Sequence, residues 1–284
     1  MPPAALSAER AGALSRAESK RFRPERPASR GKDDATRNAR GKSVILNIEE
    51  AVRKPASPGR GTAAIISRQP WDSLLPHLLK VGVDTAAAVE QLKRFTTMLI
   101  DWNSGISNLV SRNDLNRIVE RHILESVEPA HWLKASGAAR WIDLGSGGGL
   151  PAIPLAILGV GEHWTLVESR RNKTLFLRKV VQDLKLTNVS VVCDRIENLG
   201  GDDGLAGAFQ GFTSRATMTL GPTLVLAARF VGAGGAAFLW KGSRRESEMV
   251  EDERWKAFWD FDGLLGIGAG QTVVARFVRI KNEL

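Results

Sequence analysis

Residues 141–157, WIDLGSGGGLPAIPLAI, constrain the fold of this chain more than any other stretch. A short apolar run leads into four glycines within five residues, and prolines follow at 151 and 154. A loop of this kind joins a strand to a helix, and its missing Cβ atoms let backbone close onto a ligand. The surrounding sequence repeats the alternation. ARWIDL, HWTLVES, NVSVVC, GFTSRA and AAFLW read as strands, with helices at LPAIPLAIL, NKTLFLRKVVQDLKL and GPTLVLAARFV, and QTVVARFVRI closes the series as a strand. The fold class that follows is α/β, an open, Rossmann-like, mostly parallel sheet with helices on both faces. Ligands of such sheets sit outside the strand carboxyl ends, at the switch in strand order. The glycine loop, Glu168 and the turn 194–197 all fall at such ends.

The loop discriminates between nucleotide-like ligands. A dinucleotide fingerprint, G-x-G-x-x-G, presents backbone N–H groups to a pyrophosphate. Here Leu150 stands where the third glycine belongs, and Pro151 and Pro154 have no N–H to offer. A ligand without phosphates suits it better. Asp143, Gly145, Gly147 and Gly149 instead spell D-x-G-x-G-x-G, which fits S-adenosylmethionine: a carboxylate beside the cationic methionine end, and glycines against the cofactor. Glu168, at the end of the second strand, is placed to accept hydrogen bonds from ribose hydroxyls, although it would serve NAD equally well.

Three regions are expected. Residues 1–60 hold 14 Lys and Arg against 7 Asp and Glu, most of the net charge of +9, and residues 1–68 read as a disordered basic extension. Three readings of it stay open: a solvated extension, a polyanion-binding arm, or a start codon placed too early. Residues 69–136 read as a helical region. Val89, Leu92, Phe95, Leu99 and Trp102 share one helix face, and Ile118, Val119, His122, Ile123 and Val127 repeat the pattern. Residues 137–284 form the cofactor-binding domain, in which Trp255, Phe258 and Trp259 are expected to pack a helix onto the sheet and Cys193 to sit in a strand core. One cysteine and four scattered histidines give no metal-site spacing, so no metal is expected. With no signal-peptide or membrane-spanning pattern, the expected location is cytoplasmic.

The motifs DWN…NLVS, ERHILES, DLGSGGGLPAIPLAI, VESRRNKTLFLRKV, DRIENL, SRATMTL and LWKG occur in that order. With them the chain, from about residue 85 onward, resembles the 16S ribosomal RNA guanine-N7 methyltransferase family, also called the glucose-inhibited division protein B family. The resemblance implies a class I methyltransferase fold and methyl transfer to N7 of one guanine in 16S rRNA. It implies cofactor contacts at Gly145, Leu150, Ile196, Glu197 and Arg215, and matches Glu168 to the acidic ribose position. Arg195, Lys241, Asn108 and His122 match polar positions facing cofactor, target base or RNA phosphates. The family's Pro-Gly after the loop is Pro151-Ala152 here, and the WN…NL spacing is one residue longer.

Guanine N7 carries a free lone pair and no proton, so no general base is expected. Expected partners are 16S rRNA or the 30S subunit, with no membrane, no DNA and a monomeric chain. Basic clusters at Arg170, Arg171 and Lys173, and at Arg112, Arg117 and Arg121, either meet RNA or form solvated faces. The alternatives are a methyltransferase of the same fold acting on a small molecule or protein, and a non-catalytic nucleic-acid-binding protein.

Overall fold

In the computed structural model, which describes residues 60–200, 204–215, 217–268 and 272–280, seven strands form one sheet. They are β1 (Arg140–Leu144), β2 (His163–Val167), β3 (Val189–Val192), β4 (Phe209–Arg215), β5 (Val231–Lys241), β6 (Trp259–Gly266) and β7 (Val273–Arg279). The order is β3-β2-β1-β4-β5-β7-β6, with β1 to β5 parallel and β7 antiparallel to both neighbours. The order turns back between β1 and β4, which opens a crevice beyond Leu144 and Ser214.

Alternate residues of each strand serve opposite faces, and both faces are buried. On one side Trp141, Trp164, Phe238 and Trp240 join a core with the N-terminal helices; on the other Ile142, Phe212, Leu239 and Phe277 join a second core. Trp141 and Trp164 stack across β1 and β2 at 5.1 Å and donate their indole N–H groups to Ala138 and Val160 carbonyls.

The helices are α1 (Arg60–Ser67), α2 (Leu75–Val81), α3 (Thr85–Gly105), α4 (Leu124–Val127), α5 (Ala130–Ala135), α6 (Ala152–Ile157), α7 (Arg171–Asp183), α8 (Leu220–Ala227) and α9 (Arg245–Glu251). Asp84 caps α3 by accepting from the Ala87 N–H at 3.0 Å, and Leu92, Phe95, Leu99 and Trp102 are buried as the spacing predicts. The first core runs without a break from Trp71 and Leu74 through α3 and α5 into β1, so the N-terminal helices and the sheet share one interior.

Four expectations are corrected. Helix α1 falls inside the stretch 1–68 expected to be disordered; Thr62 bonds Asp101, and Trp71 donates to the Ile66 carbonyl at 2.9 Å. Its short, small-residue sequence has too little apolar periodicity to announce a helix without those contacts. Residues 1–59 of that extension lie outside the described residues. The second apolar repeat is not one regular helix but a 3₁₀ turn (Arg112–Arg117), a π turn (Val119–Ile123) and α4. Gln69 intervenes there, accepting from Val119 N–H at 3.2 Å and donating to the Asn116 carbonyl at 3.1 Å. Trp259 opens β6 rather than a helix, because β7 offers that segment an antiparallel edge to pair with. Cys193 lies just past the end of β3 and is exposed.

Candidate functional site

The loop after β1 spends its own amides. Gly145 and Ser146 donate to the Val167 carbonyl at 2.9 and 3.1 Å, Gly147 donates to Glu168 Oε2 at 3.0 Å, and Gly149 donates to the Ser146 carbonyl at 2.6 Å. Little backbone donor capacity remains for a phosphate. Gly145 and Gly149 have φ of +66° and +80°, and a Cβ on either would also collide, with the Thr217 methyl and with Ile153 respectively.

Asp143 lies beneath this loop, 1% exposed. Thr213 donates to its Oδ1 at 2.6 Å, while Oδ2 is buried without a hydrogen-bond partner. Burial pushes its pKa up to about 7, and nearby Glu168 pushes the same way, against the Thr213 hydrogen bond and the nearby Ser146 hydroxyl, which donates to the Asp143 main-chain carbonyl at 3.2 Å. An under-satisfied buried acceptor thus lies under loop donors that are largely spent, an arrangement that favours a ligand bearing N–H groups or positive charge.

Glu168 ties the loop to the end of β2, since its Oε1 also accepts from Arg170 N–H at 2.8 Å. Both oxygens keep a lone pair for further donors. Across the crevice, Asp194 holds the turn at Ile196 by accepting from Arg195 N–H at 2.7 Å and Asn198 Nδ2 at 2.8 Å. Gly145, Arg195, Ile196 and Glu197 line one cavity of about 190 Å³, with Ile196 buried and Arg195 and Glu197 exposed at its rim. Leu150 is half-buried, packed against the first core.

Arg215 and Lys241 line a different cavity, of about 520 Å³, beyond the ends of β4 and β5, and His122 stands beside Arg215. Arg215 Nη2 donates to Glu125 Oε2 at 2.6 Å and to the Arg121 carbonyl at 3.0 Å, and lies 3.2 Å from His122 Nδ1. Glu125 also meets Arg121 at 3.4 Å, and Trp240 Nε1 donates to the Glu125 carbonyl at 2.9 Å. Burial raises the Glu125 pKa against the pull of Arg215 and Arg121, and burial lowers that of Arg215. His122 is pushed down to about 4, by burial first and then by Arg215, so its ring is neutral near pH 7. With Nδ1 facing the Arg215 donor, the Nε2–H tautomer points toward Asp114, 3.3 Å away. Lys241 donates to the Met218 carbonyl and to Glu248 Oε2, both at 2.8 Å, fastening the segment after β4 to α9.

Thr217 is where the two cavities meet: it lines the larger one and packs against Gly145, which lines the smaller. Asn108 joins neither; it is exposed, in a third cavity with Arg170, Arg171 and Lys173. Its neighbour Asn103 holds that loop, its Oδ1 accepting from Leu109 N–H at 2.6 Å and Val110 N–H at 3.0 Å. Sequence reasoning alone does not single out Asn103, Glu125, Thr213 or Thr217. Asn103 and Glu125 stand inside the quoted motifs DWN and ERHILES, so a signal is present; Thr213 and Thr217 gain meaning only across the sheet.

The family model described as rRNA small subunit methyltransferase G matches residues 88–262. A protein of Sorangium cellulosum named ribosomal RNA small subunit methyltransferase G is 47% identical over 109 residues, 38% of this chain and 45% of that protein. One of the same name from Burkholderia thailandensis is 35% identical over 192 residues, 67% of this chain and 83% of its own length. The chain spans about half the length of the first relatives it matches, those from Sorangium, Polynucleobacter and Carboxydothermus. A solved tRNA (m1A58) methyltransferase from Aquifex aeolicus aligns with a TM-score of 0.43 at 13% identity, covering 55% of this chain and 68% of that one. The family match covers most of the helical region and the sheet, including the glycine loop, the Glu125–Arg215 pair and Lys241, and on that ground the chain belongs to the rRNA small subunit methyltransferase G family.

Proposed function

We propose that this chain transfers a methyl group from S-adenosylmethionine to N7 of one guanine in the 16S rRNA of the small ribosomal subunit. The observation that carries the cofactor reading is the buried, unpartnered Oδ2 of Asp143 beneath a loop in which the amides of Gly145, Ser146, Gly147 and Gly149 are already bonded. Such a site repels a pyrophosphate and attracts a cation. Family membership supports ribosomal RNA as the acceptor class.

The residues fit the cofactor. Asp143 would face its positively charged part, Gly145 and Gly147 would allow close approach, Glu168 would accept from the ribose hydroxyls, and Leu150, Ile196 and Glu197 would bound the adenine side. When bound, S-adenosylmethionine supplies an electrophilic methyl group on a sulfonium. The protein's own contribution is alignment and exclusion of water, for which well-oriented reactants gain roughly 7–11 kcal/mol. Guanine N7 has no proton to lose, so His122 need not act as a base, and its low pKa leaves it neutral beside Arg215. Arg215 and Lys241 would border the acceptor's cavity while Glu125 and Glu248 hold them in place. Arg195 would stand at the cofactor's rim.

The test is transfer of labelled methyl from S-adenosylmethionine to 30S subunits prepared from cells lacking the modification, with the product located by cleavage selective for N7-methylguanine. One labelled guanine, lost with Asp143→Ala protein, is the expected result. Cofactor binding without RNA labelling would redirect the reading to a small-molecule or protein acceptor. Absence of cofactor binding would overturn it.

A further inference from the structure

The loop 106–108 and the first turn of α7 enclose a cavity of about 540 Å³. Arg170, Arg171 and Lys173 line it together with Ser107, Asn108 and Asn172, and no carboxylate is among the lining side chains. Of the four cations of the 520 Å³ cavity three are paired, Arg121 and Arg215 with Glu125 and Lys241 with Glu248, and Arg244 alone is not among the described residues. Arg170, Arg171 and Lys173 make no ion pair and no side-chain hydrogen bond among the described residues. Glu168, close by, is engaged by the backbone amides of Gly147 and Arg170, so three charges without an ion-pair partner line one concavity, flanked by neutral hydrogen-bonding side chains, and favour an anion there.

We propose that this cavity seats a phosphate group of the RNA backbone, which fixes the acceptor strand beside the cofactor loop. The inference rests on RNA being the acceptor. A phosphate oxygen takes charge-assisted hydrogen bonds from guanidinium and ammonium groups and ordinary ones from amide and hydroxyl donors, the set present here. The cavity also adjoins the reaction site, because Lys173 Nζ lies 3.8 Å from where a Cβ on Gly147 would stand. A strand held there is anchored one wall away from the glycine loop. Asn103, by bonding the amides of Leu109 and Val110, keeps the 106–108 loop folded as the opposite wall.

The experiment measures binding of a 16S rRNA transcript as a function of salt, with cofactor affinity measured in parallel by calorimetry. The variants are R170Q/R171Q and K173Q, with R254Q as a control for general charge loss, since Arg254 is exposed and paired with Asp252. R170Q/R171Q is expected to lose roughly tenfold in RNA affinity at low salt, and its slope of log affinity against log salt to become shallower by about 1. K173Q is expected to move the same way, R254Q to change little, and S-adenosylmethionine affinity to stay constant in all three. Unchanged RNA affinity in R170Q/R171Q and K173Q would make the cluster a solvated face and overturn the proposal. An equal loss in R254Q would reduce it to general charge and also overturn it. A fall in cofactor affinity without one in RNA affinity would assign the cations to the cofactor's carboxylate instead. Wild-type protein that binds no RNA would overturn this proposal and the RNA reading together, a result distinct from all the others.

Discussion

Asp143 couples folding and ligand binding through one proton. Its pKa in the folded chain, about 7, lies above the ordinary carboxylate value of 3.8. A raised carboxylate pKa means the folded state holds the proton more tightly. The contribution of Asp143 to stability is therefore fully present below pH 4, is lost progressively as pH rises toward 7, and levels above it. Asp143→Asn removes the buried charge, so the stability difference between variant and wild type should move in the variant's favour from pH 5 to pH 8, read by urea unfolding. A cationic ligand reverses the preference. S-adenosylmethionine affinity should rise with pH across 6 to 8, and binding at pH 6.5 should release protons, seen as a buffer-dependent heat in calorimetry. Glu125, whose pKa burial also raises, differs in having a charged partner, Arg215. Glu125→Ala strands that guanidinium, and thermal or chemical unfolding should show a loss of about 3–5 kcal/mol. Asp143 is legible from its place before the glycines. The partner of Glu125 is not, because ninety residues separate it from Arg215 and nothing local specifies that pairing.

Strand β1 and its neighbours carry the site, and their packing leaves little slack. Gly211 of β4 lies opposite Trp141, and a Cβ there would overlap the Trp141 ring, itself stacked on Trp164. Gly211→Ala should cost about 1–3 kcal/mol through overpacking, measured by equilibrium unfolding, and should weaken cofactor binding, since β1 delivers both Asp143 and Gly145. The parallel strands and their helices are legible because residues buried on both faces form short, continuous apolar runs between turn signals. β6 is not. Its exposed Asp260, Phe261, Asp262 and Leu264 leave no clean alternation, and it exists as a strand because β7 offers it an edge. The π turn at Val119–Ile123 is hidden for a similar reason: Gln69, fifty residues earlier, claims the Val119 amide.

The N-terminal helices and the sheet close one interior around Phe95, Leu99, Trp141 and Phe238. A fragment beginning at residue 137 would expose that face of the sheet, so it should lack cooperative unfolding and near-ultraviolet circular dichroism and should associate on size-exclusion chromatography. Fold class, the glycine loop and the preference for a ligand without phosphate are all written in local sequence, because strand and helix periodicity, missing Cβ atoms and missing N–H groups act over a few residues. The grouping of the motifs is not. ERHILES, SRATMTL and LWKG are spread over more than a hundred residues, and they meet around Glu125 and Arg215 because β4 and β5 are neighbours and α4 crosses their ends. Burial, which moves the pKa of Asp143 and His122, likewise depends on what packs above each residue, and that is a property of the assembled chain.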